Sequence, residues 1–391
     1  MTDLEERLRS ELKAAAGRAQ PHLLRELTPP RPGRLRGSAR WLAPVAAVLA
    51  VALVVLGVRA ILRPGPAGPG PDGPAQLPRF YVAVAPGSRD AVVARSATGA
   101  VISRVVIPGA TVGWVSAASD DRTFALSAST GSGAAEVTRF YQVRLSAGGR
   151  PGGLTVLPLT VRAGSAGYGV NGIALSPDGS RLAVAVVPAA LLSTRPSAAH
   201  RSRIEIATLG TSAAGTWVGP AYLNISNLSW TDGGRRLGYL SDYLRGFPRR
   251  ADITRMYLLD PSRPGQDQQL SASSRAVTLR TGTAPIDSAL FTAAGHAVIA
   301  WTGPAAGSSA EILAEYSAAT GQRTRVLYRG PGHGNFIVQG ELLSTDPSGR
   351  HLLVGYLTAR GDHLVLARLD NGRLTVLPSL VRSLQPTRAA W

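Results

Sequence analysis

Cysteine is absent from all 391 residues. Its absence excludes disulfide staples, thiolate metal sites and cysteine nucleophiles, and it leaves the redox compartment undetermined. Lysine is nearly absent too: Lys13 is the single one, so arginine carries almost all the positive charge. The formal net charge of +18 divides into +6 over residues 1–63 and +12 over the remainder, so it is spread along the chain and not gathered in a tail. Arginine in place of lysine, with abundant Ala and Gly, reads first as a GC-rich coding bias and second as selection for an anionic partner. Chemical signatures are missing as well. There is no Gly-x-Ser-x-Gly elbow and no room for a hydrolase domain beside the repeats. The six histidines (His22, His200, His296, His333, His351 and His363) show neither i,i+4 nor His-x-His spacing, so a zinc site is unsupported. No glycine-rich phosphate loop opens a helix.

What is present begins with an apolar run. WLAPVAAVLAVALVVLGVRAIL, residues 41–62, carries no charge in its first 18 residues. At 1.5 Å per residue its 22 residues make roughly 33 Å of helix, enough to cross a hydrocarbon layer of ~30 Å. Trp41 suits the headgroup level at one edge, and Arg59 and Arg63 can snorkel at the other. A buried core helix would show a polar face, and a cleaved signal peptide would have a shorter leader than 40 residues. Arg31, Arg34, Arg36 and Arg40 precede the span, while residues 64–78 contain no Lys or Arg. The positive-inside rule therefore predicts a plasma-membrane protein with residues 1–40 cytoplasmic and the rest outside. Within that tail, Leu4, Leu8, Leu12 and Ala15 or Ala16 share one helical face over residues 3–20. That segment is either a weakly ordered flank or a docking helix for a cytoplasmic partner. Residues 63–78, RPGPAGPGPDGPAQLP, read as a semi-stiff spacer.

From residue 79 onward one pattern returns. VNGIALSPDGSRLAVAV (170–186), ISNLSWTDGGRRLGYL (225–240), IDSALFTAAGHAVIAW (286–301) and VQGELLSTDPSGRHLLVGYL (338–357) each run strand, turn, strand, with GWVSAASDDRTFALS (113–127) a fainter copy. A second strand pair follows each hairpin, so the unit has four strands and repeats every fifty to sixty residues, as β-propeller blades do. Residues 80–107 supply three strands without a first one, and the chain finishes in PTRAAW, which matches the start of a hairpin. A three-plus-one closure would join these pieces and remove the free sheet edge, giving an all-β, six-bladed propeller over residues 79–391.

The SPDG turn followed by Arg-Leu-Ala-Val-Ala resembles the hairpins of TolB-like propellers, and more loosely those of WD-repeat-like propellers, over residues 79–391. The layout of residues 1–62 resembles actinobacterial membrane proteins encoded beside extracytoplasmic-function sigma factors. The zinc-binding anti-sigma signature, a His followed by Cys-x-x-Cys, is absent together with cysteine. The resemblance implies a membrane-anchored binding or sensing module at the cell envelope, coupled to a cytoplasmic regulator such as a sigma factor through residues 1–40.

Inner propeller strands line an axial channel. Stepping back four residues from Leu175, Trp230, Phe291, Leu343 and Trp391 places Asn171, Ser226, Asp287, Gln339 and Thr387 at one register, with about Gly113 in the faint copy. Glu341 is expected nearby. These candidate lining residues are either solvated wall or the seat of an enzyme of hydrolase or lyase type around Asp287, Glu341 and Asn171. One or two carboxylates are thin for a hard divalent cation, so no cofactor or metal is expected. The expected partners are a protein or an anionic envelope component on a propeller face, besides the lipid bilayer, and no nucleic acid. The arginine-bearing connections 187–203 and 241–255 are either solvated insertions or the first place to seek a partner.

Overall fold

The structure, a computed structural model, describes residues 76–85, 87–189, 200–211, 213–243, 254–262, 268–303, 310–330, 340–357, 364–370, 372–377 and 388–391. All of them belong to one compact unit, 68–391. The expected cytoplasmic helix and the apolar span at 41–62 lie outside the described residues, among which no helix is long and apolar enough to cross a membrane.

The described residues form an all-β, six-bladed propeller. Blade 1 holds β1 (Phe80–Val84), β2 (Asp90–Arg95) and β3 (Val101–Val106). Blade 2 holds β4 (Thr111–Ala117), β5 (Thr123–Thr130), β6 (Val137–Leu145) and β7 (Pro151–Arg162). Blade 3 holds β8 (Tyr168–Leu175), β9 (Arg181–Pro188), β10 (Arg201–Thr208) and β11 (Ala214–Ala221). Blade 4 holds β12 (Leu223–Thr231), β13 (Arg236–Tyr243) and β14 (Arg255–Leu259); β15 (Gln268–Gln269) follows, and β16 (Ser274–Val277) completes it. Blade 5 holds β17 (Ile286–Phe291), β18 (Ala297–Thr302), β19 (Ile312–Ser317) and β20 (Arg323–Arg329). Blade 6 holds β21 (Gly340–Thr345), β22 (His351–Leu357), β23 (Leu364–Asp370) and β24 (Arg373–Val376).

The chain's last strand, β25 (Arg388–Ala390), joins blade 1 as its innermost strand, pairing antiparallel with β1 through Ala390–Val82, Ala389–Ala83 and Arg388–Val84. This is the expected three-plus-one closure. The innermost strands pack in a closed circuit: β25 on β4, then β8, β12, β17, β21, and back to β25.

The core sits between blades, because a strand buried on both faces serves two of them. Period-2 alternation along β1 sends Phe80, Val82 and Val84 toward blade 2, and Tyr81 and Ala83 toward blade 6. Gly238 on β13 marks a close approach: a Cβ there would collide with the Phe291 ring of the next blade. The hairpin turns explain the repeated motif. In blade 3, Ser176 N–H donates to Arg181 O at 2.8 Å, Gly179 takes φ +70°, and the Asp178 carboxylate accepts from Ser180 N–H at 3.0 Å.

One pairing was not expected. β15 leaves the outer connection of blade 4 and pairs parallel with β11 of blade 3, Gln268 opposite Trp217 and Gln269 opposite Val218. Leu270, buried behind it, donates its N–H to Val218 O at 2.8 Å. The other outermost strands all carry arginine and no carboxylate, whereas β11 carries no charge at all. Arginine discourages foreign strand pairing at a free edge, and a covered edge does not need it.

Closure depends on three residues and one indole. Trp391 is 4% exposed, and its N–H has no partner among the described residues, so it contributes packing area. W391A is expected to cost about 3–5 kcal/mol, in the range for truncating a buried aromatic. Denaturant unfolding should read this as a lower midpoint, and removal of residues 388–391 should lower it further.

Candidate functional site

Each described innermost strand of blades 2 to 6 breaks register with its neighbour once. The breaks fall between Val112 and Val115, Val170 and Gly172, Ser226 and Ser229, Ile286 and Ser288, and Leu342 and Ser344. A bulge twists a strand and re-aims side chains, and here it turns polar groups toward the next blade. Asn171 Nδ2 donates to Asn224 Oδ1 at 3.0 Å and to Ile225 O at 2.9 Å. Asn227 Nδ2 donates to Ser288 Oγ at 2.9 Å, and Trp114 Nε1 to Val170 O at 2.9 Å. Ser116 Oγ accepts from Leu175 N–H, and Ser229 Oγ accepts from Phe291 N–H. From the closing strand, Arg388 donates to Gly113 O at 2.9 Å while its guanidinium lies 3.3 Å over the Trp114 ring.

These strands enclose two cavities. The first, about 200 Å³, opens where the innermost strands begin and is lined by Trp114, Asn171, Ser226, Asn227 and Arg388. The second, about 140 Å³, opens at the opposite face beside Pro177, Asp346 and Trp391. Val115, Ile173, Leu228 and Leu290 line both, forming an apolar waist between two polar funnels. A waist of this kind favours separate sites on the two faces over a water-filled bore.

Asn171 and Ser226 are among the residues that line the first funnel. Asp287 occupies the equivalent strand position in blade 5. Its side chain keeps contact with solvent, yet the protein crowded around it pushes its carboxyl up to about 6. The register in blade 6 needs correction. Asp346 N–H donates to His351 O as Ser176 N–H donates to Arg181 O, so Thr345, and not Leu343, matches Leu175. Stepping back four then gives Glu341 in place of Gln339. The two-residue error arises because Leu343-Ser344 mimics Leu175-Ser176, whereas the turns DPSG (346–349) and SPDG (176–179) superpose and put Thr345 at the place of Leu175. Gln339 and Thr387 lie outside the described residues, as do 190–199, 244–253 and the HGNF stretch at 333–336.

A second carboxylate escaped the sequence. Glu311, directly before β19, is buried and accepts from Trp301 Nε1 at 2.8 Å. Burial raises its pKa, the indole bond partly offsets that, and the Asp287 charge adds to the rise. Only the pairing of β18 with β19 brings Glu311 beside Trp301, and no local motif marks it. Among the described residues no group of three or more His, Asp or Glu is placed to hold a metal ion.

No family model matches the chain, and no curated protein matches it. Among solved structures it is similar to a chain of the nidogen/laminin complex, with 11% identity over 80% of this chain and 97% of that one, at a TM-score of 0.48. It is also similar to an oligogalacturonate lyase in complex with manganese, with 15% identity over 75% and 72% and a TM-score of 0.45. AztD from Citrobacter koseri gives 10% identity over 80% and 97%, at 0.40. At these values the likenesses carry no argument, and the fold rests on the strand ladders themselves.

Two outcomes test this geometry. Asn227 sits at φ +49°, a left-handed conformation that Asn tolerates and Ala does not. N227A should cost about 1–2 kcal/mol through the lost bond and the strain, and N227G less, as urea unfolding would read. Asp287 binds its proton more tightly folded than unfolded, so its contribution to stability is full below its ordinary 3.8 and is lost as pH rises through about 6. The stability of D287N relative to the parent should therefore rise between pH 4 and pH 7, and a flat difference would show the carboxyl to be unperturbed.

Proposed function

We propose that this chain is a membrane-anchored extracytoplasmic binding or sensing module, held at the cell envelope by residues 41–62 and coupled to a cytoplasmic regulator through residues 1–40. The observation that carries the binding reading is what the polar groups at the funnel mouth are doing. Asn171, Asn227 and Trp114 direct their donors at neighbouring blades. Such groups stiffen a ring, and a stiff ring with two faces suits recognition of a large partner. The anchored reading is supported by the uncharged run from Trp41 to Val58 and by the arginines before it. The regulator is a sigma factor if the resemblance of residues 1–62 extends to partners.

A second reading, an enzyme of hydrolase or lyase type, is favoured by one observation. A carboxyl pushed up to about 6 on an innermost strand, with a second raised carboxyl, Glu311, that feels its charge, is the kind of group general acid–base work uses. The two readings separate by experiment. For a binding module, chelator and added divalent ions should leave the melting temperature of the purified protein unchanged, whereas a metal-dependent shift favours the enzyme. Co-purification from native membranes should recover a sigma factor with the full chain and lose it when residues 1–40 are deleted. Equal recovery from both would leave the tail a mere anchor flank.

A further inference from the structure

We propose that the junction between blades 6 and 1 is the ring's latch, opening ahead of every other junction and baring the apolar edge of β1. Three observations single out this junction.

The first is connectivity. In the other five blades a hairpin joins the innermost strand to its neighbour, which keeps the two strands close after their bonds part. β25 and β1 come from opposite ends of the domain and meet through three backbone pairs with no hairpin between them.

The second is a set of polar atoms without partners. Tyr81 Oη, Ser96 Oγ, Asp370 Oδ1 and Trp391 Nε1 are buried and have none among the described residues. Tyr81 and Ser96 are 0% exposed, and burial pushes the Tyr81 hydroxyl up to about 12. All four residues stand where blade 6 meets blade 1. Tyr81 and Trp391 pack with Leu353 of β22. Arg368 of β23 donates to Ser96 O at 2.7 Å and to Asp370 Oδ2 at 2.6 Å, so one guanidinium spans the junction. A buried hydroxyl or indole that makes no bond favours the open, wetted state, where water supplies one. Trp217 Nε1, His200 Nδ1 and Arg255 Nε of blades 3 and 4 are also unpartnered, but Asn171, Trp230, Arg181 and Ser202 all bond across the junction of those two blades. Between blades 5 and 6 the packing is apolar, through Leu290, Ile299, Trp301 and Leu352.

The third is the reason the closing indole lacks its bond. Trp230 Nε1 donates to Ala174 O of the preceding blade at 2.9 Å. The matching carbonyl for Trp391 is Ser344 O, one residue before Thr345. The bulge of blade 6 falls between Leu342 and Ser344, two residues nearer this end than the bulge between Val170 and Gly172 in blade 3. A bulge re-aims the backbone it interrupts, and here it interrupts the strand at the carbonyl the indole needs.

Opening reaches both funnels, because β25 and the residue after it supply Arg388 to the first and Trp391 to the second. A partner seated in either funnel against these residues binds the closed ring and holds the latch shut. That consequence rests on the binding reading above, and the latch itself does not.

Hydrogen–deuterium exchange on the full chain reads the latch without a partner. Segments 80–84 and 388–391 should exchange ahead of 173–186, the inner hairpin of blade 3. V82C/A390C forms the sole disulfide available to this chain. Once closed, it should slow both seam segments about tenfold and leave 173–186 unchanged. S96A and Y81F each delete a hydroxyl that has no partner, so each should raise the thermal midpoint and slow exchange at the seam. Uniform exchange through all six blades, or seam exchange indifferent to the closed disulfide, overturns the latch. So does a lowered midpoint in both S96A and Y81F, which would show those hydroxyls to be bonded in the closed ring. The hydroxyl variants decide the matter if V82C/A390C does not fold.

Discussion

Three pairs of backbone partners, Ala390–Val82, Ala389–Ala83 and Arg388–Val84, turn an open row of sheets into a ring. Without them blade 1 would present β1 as a bare apolar edge, and blades 6 and 1 would lose the cluster made by Tyr81, Ala83, Leu353, Ala389 and Trp391. The walls of both funnels depend on this seam. The first funnel has Arg388 in its wall and the second has Trp391 in its own, so closure and site are built from one four-residue stretch.

The ring is then stiffened from the inside. Side chains on the bulged innermost strands donate to the next blade, and Arg388 continues the series across the seam by reaching Gly113 O and the Trp114 indole. A buried amide or indole N–H gains from an acceptor, and Asn171, Trp114 and Trp230 find theirs on the neighbouring blade. Recognition chemistry and structural chemistry therefore compete for the same residues. Asn171 illustrates the outcome: it lines the funnel and is already bonded to Asn224 and Ile225. Asp287 is the exception, a charged group at the same strand position whose raised pKa records the cost of being crowded by protein. Among the side chains described at that register, it is an acid whose pKa is raised while it stays in contact with solvent.

Edges obey a different logic. Five outermost strands carry arginine and no carboxylate, and the sixth, β11, is uncharged and covered by β15. The basic character of the chain is therefore distributed as edge protection around the rim.

Blade number, strand order and closure were all legible from the chain, because each hairpin repeats a turn whose Gly, Asp and Ser have fixed stereochemical duties, and because PTRAAW reads as an orphaned first strand. Asn171, Ser226 and Asp287 followed from counting back along an alternating strand, a local operation. The same count failed in blade 6, where the turn alone shows that Glu341 takes the place assigned to Gln339. Glu311 beside Trp301, Arg388 over Trp114 and β15 on β11 have no signature in sequence. Each is a meeting of segments brought together by ladder pairing or ring curvature, and neighbours made that way exist only once the blades are packed.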